Sequence, residues 1–164
     1  MRAGTLRKEA EGLTINKKGG GKMEYNVSMN QVFETALRIA VEAHKGQVDK
    51  AGRPYILHPL AVAELLDTLD LKTIAVLHDT IEDTYVTADY LLEKGIPKEI
   101  VEVVQLLTKP KDEEYESYLK RVKANPLAKQ VKLADLQNNT DPKRASGLNE
   151  ARKKKYELAK RILA

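Results

Sequence analysis

Eight consecutive residues, Leu77-His78-Asp79-Thr80-Ile81-Glu82-Asp83-Thr84, gather one imidazole and three carboxylates. On a helix His78 and Glu82 stand four residues apart, as do Asp79 and Asp83, so all four share one side. Ile74, Leu77 and Ile81 recur on another side, as a core-facing stripe does. Carboxylates one turn apart repel, so the acidic face is either a solvated surface or the wall of a cation site. Two further places offer partners. The chain has three histidines, His44, His58 and His78. Downstream, Val131-Lys132-Leu133-Ala134-Asp135-Leu136 sets a carboxylate inside an apolar run. Such a group is costly unless it is paired, hydrogen-bonded or bound to a cation; a cap or an ion pair with Lys132 would serve equally well. Two imidazoles with two carboxylates form a mixed nitrogen and oxygen site suited to Mn²⁺, Fe²⁺, Co²⁺ or Zn²⁺, with room for water. Such a site could acidify a water and polarise a phosphoryl oxygen. Glu82 and Asp83, one turn beyond, could orient that water or move its proton.

The elements that must position these groups read as helices. Ser28 and Gln31 have capping-box spacing, and Val32, Phe33, Ala36, Leu37, Ala40 and Ala43 predict a helix over 29–45 that ends at Gly46. Gly46 to Pro54 reads as a loop. Pro59 suits the first turn of a helix continuing through Val62, Leu65, Leu66 and Leu69. The acidic helix follows over 72–83. Thr87 caps a short helix ending near Gly95, and Pro97 opens another through Leu107. After a turn at 109–112, Tyr115, Tyr118, Leu119 and Val122 mark a helix, Asn125-Pro126 starts one reaching about Asn138, and a last one covers 149–163. No run alternates cleanly with period two, and no repeat of 20–50 residues appears. The expected fold is an all-α, compact single-domain bundle over 28–164, preceded by a flexible tail over 1–27.

With 164 residues, 32% charged and 42% apolar, the chain fits one globular domain. It lacks the apolar stretches of a membrane span or a signal peptide, and it has no cysteine. A cytoplasmic location and no membrane partner are therefore expected. The net charge of +4 is uneven: residues 1–27 carry +3 and 142–164 carry +6, leaving −5 for 28–141. A nucleic-acid binder would carry its basic stripe through the folded body, so no nucleic acid is expected. The basic ends could still attract an anionic small molecule.

Read together, Ala43-His44-Lys45-Gly46-Gln47, Pro54-Tyr55-Ile56-Leu57-His58-Pro59, Leu77 to Thr84 and Val131 to Asn139 resemble the HD-domain hydrolases of the Rel/Spo family. In size the chain most resembles the stand-alone small alarmone hydrolases, over roughly 36–139. The resemblance implies one Mn²⁺ held by His58, His78, Asp79 and Asp135, with Glu82 and Asp83 assisting the attacking water. The implied reaction removes pyrophosphate from the ribose 3′ position of guanosine tetra- or pentaphosphate. Lys50 matches a basic residue near the substrate's phosphates, and Asn139 matches a substrate-contacting Asn. His44 falls on a motif position without a ligand role and reads as a hydrogen-bonded structural residue. Two positions depart from the pattern. Asp49 stands where the family places a base-stacking cation, and Pro142 replaces a hydroxyl-bearing residue. Asp49 cannot make a cation–π contact; it would accept from a base edge or face water. The alternatives are a related hydrolase acting on another nucleotide, such as an NADPH 2′-phosphatase or an adenosine-alarmone hydrolase, and a non-catalytic nucleotide-binding module.

Overall fold

A computed structural model describes residues 14–15, 25–144 and 148–164. Most of the expected tail over 1–27 lies outside these residues. Within it, β1 (Thr14–Ile15) pairs antiparallel with β2 (Tyr25–Asn26), Thr14 opposite Asn26 and Ile15 opposite Tyr25. Every other element is helical, nine among the described residues.

α1 (Met29–Ala43) starts at Ser28, whose hydroxyl accepts from the Gln31 N–H while the Gln31 side chain accepts from the Ser28 N–H. This reciprocal cap satisfies two donors that the first turn leaves orphaned. Val32, Ala36, Ile39, Ala40 and Ala43 form its buried stripe. The chain reverses at Gly46, whose φ of 78° suits a residue without Cβ. α2 (Leu57–Glu64) begins with His58 and Pro59 in its first turn, as the proline implied.

Two boundaries differ from expectation, and both matter to the site. α2 stops at Glu64 instead of continuing through Leu69. Lys72 donates its ammonium to the Ala63 carbonyl at 2.9 Å, which caps α2 from the next element, and α3 (Leu69–Leu77) then starts after an extended Thr68. The acidic helix over 72–83 is likewise two pieces, α3 and α4 (Thr80–Asp83). His78 Nδ1 donates to the Ala75 carbonyl at 2.6 Å and the Thr80 hydroxyl donates to the Leu77 carbonyl at 2.7 Å. Side chains thus occupy carbonyls that the next turn of a continuous helix would use. The break turns His78 into the core and leaves Glu82 and Asp83 exposed, so the four acid–base groups do not share one helix face.

α3 is the centre of the molecule. It packs against α1, α2, α6 (Lys98–Leu107) and α8 (Pro126–Asn139), and six of its nine residues are buried. A helix apolar on all sides is one surrounded by others. α5 (Ala88–Glu93), capped by the Thr87 hydroxyl, packs on α6; α7 (Tyr115–Lys123) and α9 (Glu150–Leu163) pack on each other and on α8. Asn125 accepts from the Leu127 and Ala128 N–H groups to start α8. The all-α expectation therefore holds for the helical body. No helix among the described residues is long and apolar enough to cross a membrane.

Candidate metal centre

Three elements converge on one point. The first turn of α2 supplies His58, the α3–α4 break supplies His78 and Asp79, and the inner face of α8 supplies Asp135. His58, His78 and Asp135 are all buried, with relative exposures of 2%, 4% and 4%. One donor atom from each lies within 4.8 Å of the others. His58 Nε2 stands 3.1 Å from Asp135 Oδ1, and His78 Nε2 stands 3.1 Å from Asp79 Oδ2. The crossed distances, His58 to Asp79 and His78 to Asp135, are both 3.6 Å.

The far sides of both rings fix their tautomers. His58 Nδ1 donates to Asn138 Oδ1 at 2.7 Å, and His78 Nδ1 donates to the Ala75 carbonyl. Each Nε2 therefore presents a lone pair inward. His78 Nε2 is buried without a hydrogen-bond partner. Two imidazole lone pairs and two carboxylate oxygens thus face one another with no donor between them. Only a cation or a shared proton resolves such an arrangement, and the mixed donor set fits a divalent transition metal. The same carboxylate field that would hold a cation also favours a proton on His78. Burial alone would push His78 down, but the Asp79 and Asp135 carboxylates overcome it and hold it well above the usual imidazole value. Burial would raise Asp135, yet Lys132 and the two imidazoles hold it well below the carboxylate range.

Supporting bonds orient the carboxylates. Tyr55 donates its hydroxyl to Asp79 Oδ2 at 2.5 Å; burial, then the Asp79 charge, raises that phenol's pKa. Lys132 Nζ and Asn139 Nδ2 each donate to Asp135 at 2.8 Å. The ion pair with Lys132 and the closeness to both imidazoles coexist, one on each oxygen of Asp135.

A cavity of about 200 Å³ opens beside the cluster, lined by Asp79, Glu82 and Asp135 together with Lys109, Lys132 and Lys155. Asp83 is exposed and not among its walls. Both carboxyls reach solvent, yet partial desolvation raises the pKa of each, aided by Asp83 and Asp79 at Glu82 and by Asp79 at Asp83. A second cavity of about 330 Å³ shares Tyr55, Asn139, Lys155 and Tyr156 with the first and adds Lys50, Arg144 and Arg152. Lys50 thus lines the adjoining cavity, and Asn139 stands at the junction of the two. Asp49 also lines the second cavity, but its oxygens are committed. Oδ1 accepts from the Ala51 and Arg53 N–H groups, both at 2.9 Å, and Oδ2 accepts from the Arg53 guanidinium at 3.1 Å. With its side chain 9% exposed, it neither faces water nor offers a base edge a free acceptor; it staples its own loop. His44 donates to Gln47 Oε1 at 2.8 Å, and Gln47 donates to the Asp83 carbonyl, as a structural residue would. The residues not foreseen are Tyr55, Lys109, Asn138, Arg144, Arg152, Lys155 and Tyr156. The spacing of Arg152, Lys155 and Tyr156 on one helical face was the available signal for the last three.

Comparison with known proteins agrees with this architecture. The family model described as the HD domain matches residues 36–153, so the chain belongs to the HD domain family. It is similar, at 35% identity over 144 residues, to the bifunctional (p)ppGpp synthase/hydrolase SpoT of Escherichia coli, covering 73% of this chain and 20% of that protein. It is 38% identical over 120 residues to the guanosine-3′,5′-bis(diphosphate) 3′-pyrophosphohydrolase of Haemophilus influenzae, covering 66% and 18%. The chain thus spans a fifth or less of these relatives. A solved structure of a metazoan SpoT ortholog, described as hydrolysing ppGpp, superposes with a TM-score of 0.64 at 22% identity, covering 85% of each chain, and shares the fold.

Proposed function

We propose that the chain is a metal-dependent phosphohydrolase that removes the 3′-pyrophosphate from guanosine tetra- or pentaphosphate, with His58, His78, Asp79 and Asp135 as the ligands of one Mn²⁺. The observation that carries this reading is the inward convergence of two imidazole lone pairs and two carboxylates beside a lysine-walled cavity. The names of the similar proteins supply the substrate class. A divalent cation held there supplies Lewis acidity toward a water and a phosphoryl oxygen. Around it, Glu82 accepts the proton released as water adds to phosphorus, with Asp83 next to it as a second carboxylate. Lys109 and Lys155 face the anionic phosphates. Asn139, tied to Asp135, and Lys50 hold the remainder of the nucleotide. Water divides across the bond between the 3′-oxygen and phosphorus, leaving a 3′-hydroxyl and inorganic pyrophosphate. A cytoplasmic site of action fits a nucleotide substrate.

A second reading keeps the chemistry and changes the base. Asp49 is spent on its loop, so no cation stacks on a guanine from that position, and another phosphorylated nucleotide would then be accepted. One experiment addresses both: metal content, followed by product analysis over guanosine and adenosine 3′-pyrophosphates and NADPH. Chelation should abolish turnover, and Mn²⁺ should restore it best. Full activity in metal-free protein, or an absence of turnover on every nucleotide, would reject the hydrolase.

A further inference from the structure

Three consecutive carbonyls at the end of α6 are held by side chains from α7. Arg121 donates to the Leu106 carbonyl at 2.9 Å and the Thr108 carbonyl at 3.4 Å, and the Tyr118 hydroxyl donates to the Leu107 carbonyl at 2.8 Å. These are the orphan acceptors of a helix C-terminus, where a cation is also favoured by the dipole. The same guanidinium forms a two-pronged pair with Glu113, at 2.7 and 3.1 Å, and lies 5.5 Å from the Tyr118 ring centre. Glu113 in turn donates its backbone N–H to the Pro110 carbonyl.

These anchors lie on both sides of Lys109. Arg121 grips the chain at 106 and 108 before it and at 113 after it, all through its guanidinium, which bonds outside its own helix. Of the gripped segment, Lys109 is the residue that enters the wall of the smaller cavity, which Asp79 and Asp135 also line, and its ammonium donates to the Pro110 carbonyl at 2.9 Å within the gripped turn. Arg121 itself lies outside both cavities of the site. A planar fork is needed to hold two carbonyls and a carboxylate at once, and neither lysine nor glutamine can do so.

We propose that Arg121, with Glu113 as its counter-ion, is a positioning residue: it locks residues 106–113 so that the Lys109 ammonium stands ready for the substrate's phosphates. This rests on the smaller cavity being the phosphate site. It differs from a plain stabilising ion pair in where its loss is felt. A stabilising pair changes the unfolding midpoint alone, whereas a positioning pair also changes anion binding, and does so through Lys109.

The test is calorimetric titration of the metal-loaded protein with inorganic pyrophosphate, which needs no turnover. Arg121→Gln and Lys109→Ala should each weaken pyrophosphate binding by about tenfold, the scale of one lost charge-assisted contact. The double variant should bind no more weakly than Lys109→Ala alone, because both changes remove the same contact. Metal stoichiometry should be unchanged in all three. Glu113→Gln, which leaves the two carbonyl bonds in place, should give a smaller weakening and serves if Arg121→Gln does not fold. Wild-type affinity in Arg121→Gln or Glu113→Gln, losses that multiply in the double variant, or no pyrophosphate binding by the wild type would overturn the proposal. Pyrophosphate binding without nucleotide hydrolysis would overturn the hydrolase reading and leave the clasp standing.

Discussion

Burial, and then the Asp83 and Asp79 charges, hold the Glu82 carboxyl above its ordinary value, while Lys132 works against the rise. A proton acceptor must be ionised, so the rate should increase as pH climbs through that raised value. The acid limb of the kcat profile is therefore expected above the ordinary glutamate value of about 4.3. Glu82→Gln should retain the metal, lose roughly 10²–10⁴ in kcat and flatten that limb. A near-wild-type rate in this variant would mean that Glu82 is only solvated surface. Asp49 gives a second expectation at this scale. Asp49→Arg would place a cation where the family resemblance expects one to stack on the base. Since its oxygens hold the Ala51 and Arg53 N–H groups, the variant should loosen the 49–53 loop and raise KM without gaining guanosine affinity. Tighter guanosine binding in a substrate panel would refute this. The grouping of His58, His78, Asp79 and Asp135 comes from the family resemblance and not from spacing, which does not record that an imidazole or a carboxylate is buried; the fold brings the four side chains together. The partner of Asp49 was not legible either: an Asp–Arg pair four apart inside a loop leaves no periodic trace.

At the scale of elements, the interruption between α3 and α4 decides the geometry of the centre. The apolar run through Leu77 continues a helical pattern, so the sequence read as one helix through Asp83. What ends it is local competition: His78 Nδ1 and the Thr80 hydroxyl take backbone carbonyls one turn early. Such competition depends on rotamers that burial selects, which a pattern of apolar spacing does not record. The capped starts at Ser28, Thr87, Asn125 and Asn149 were legible because the cap residue is itself the signal. Thr80→Val keeps the shape of the fully buried Thr80 and removes its donor. It should cost about 1–3 kcal/mol, the range for a buried acceptor left unsatisfied. It should also weaken metal binding, because His78 and Asp79 flank the break. Chemical denaturation beside metal titration checks both; an unchanged metal affinity would show that the break does not depend on this hydroxyl.

For the molecule as a whole, the charge imbalance between the acidic body and the basic C-terminal segment acquires a physical meaning. α9 packs on α7 and α8, which brings Arg152 and Lys155 to the cavities instead of leaving them at a remote end. A sum along the chain shows the excess of charge but not its destination, since only tertiary packing places α9 beside α8. Within the smaller cavity, burial first, and then the like charges of Lys132 and Lys109, lower the pKa of Lys155. Lys132 is already paired with Asp135, so the phosphates of a substrate would chiefly relieve the repulsion felt at Lys155. Two consequences follow for kinetics. KM should rise with salt while kcat changes little, because the attraction is partly open to solvent and is screened over about 10 Å at 0.1 M. KM should also rise on the alkaline side, as Lys155 loses its proton at a pH below the ordinary lysine value of 10.5. The sign is fixed by the charged form: Lys155 binds phosphate only while protonated, so affinity is full below its lowered pKa and falls above it. Lys155→Ala should raise KM and remove most of this alkaline rise. If KM in Lys155→Ala keeps the wild-type dependence on both salt and pH, the anion is held elsewhere and the lysine wall has no part in binding.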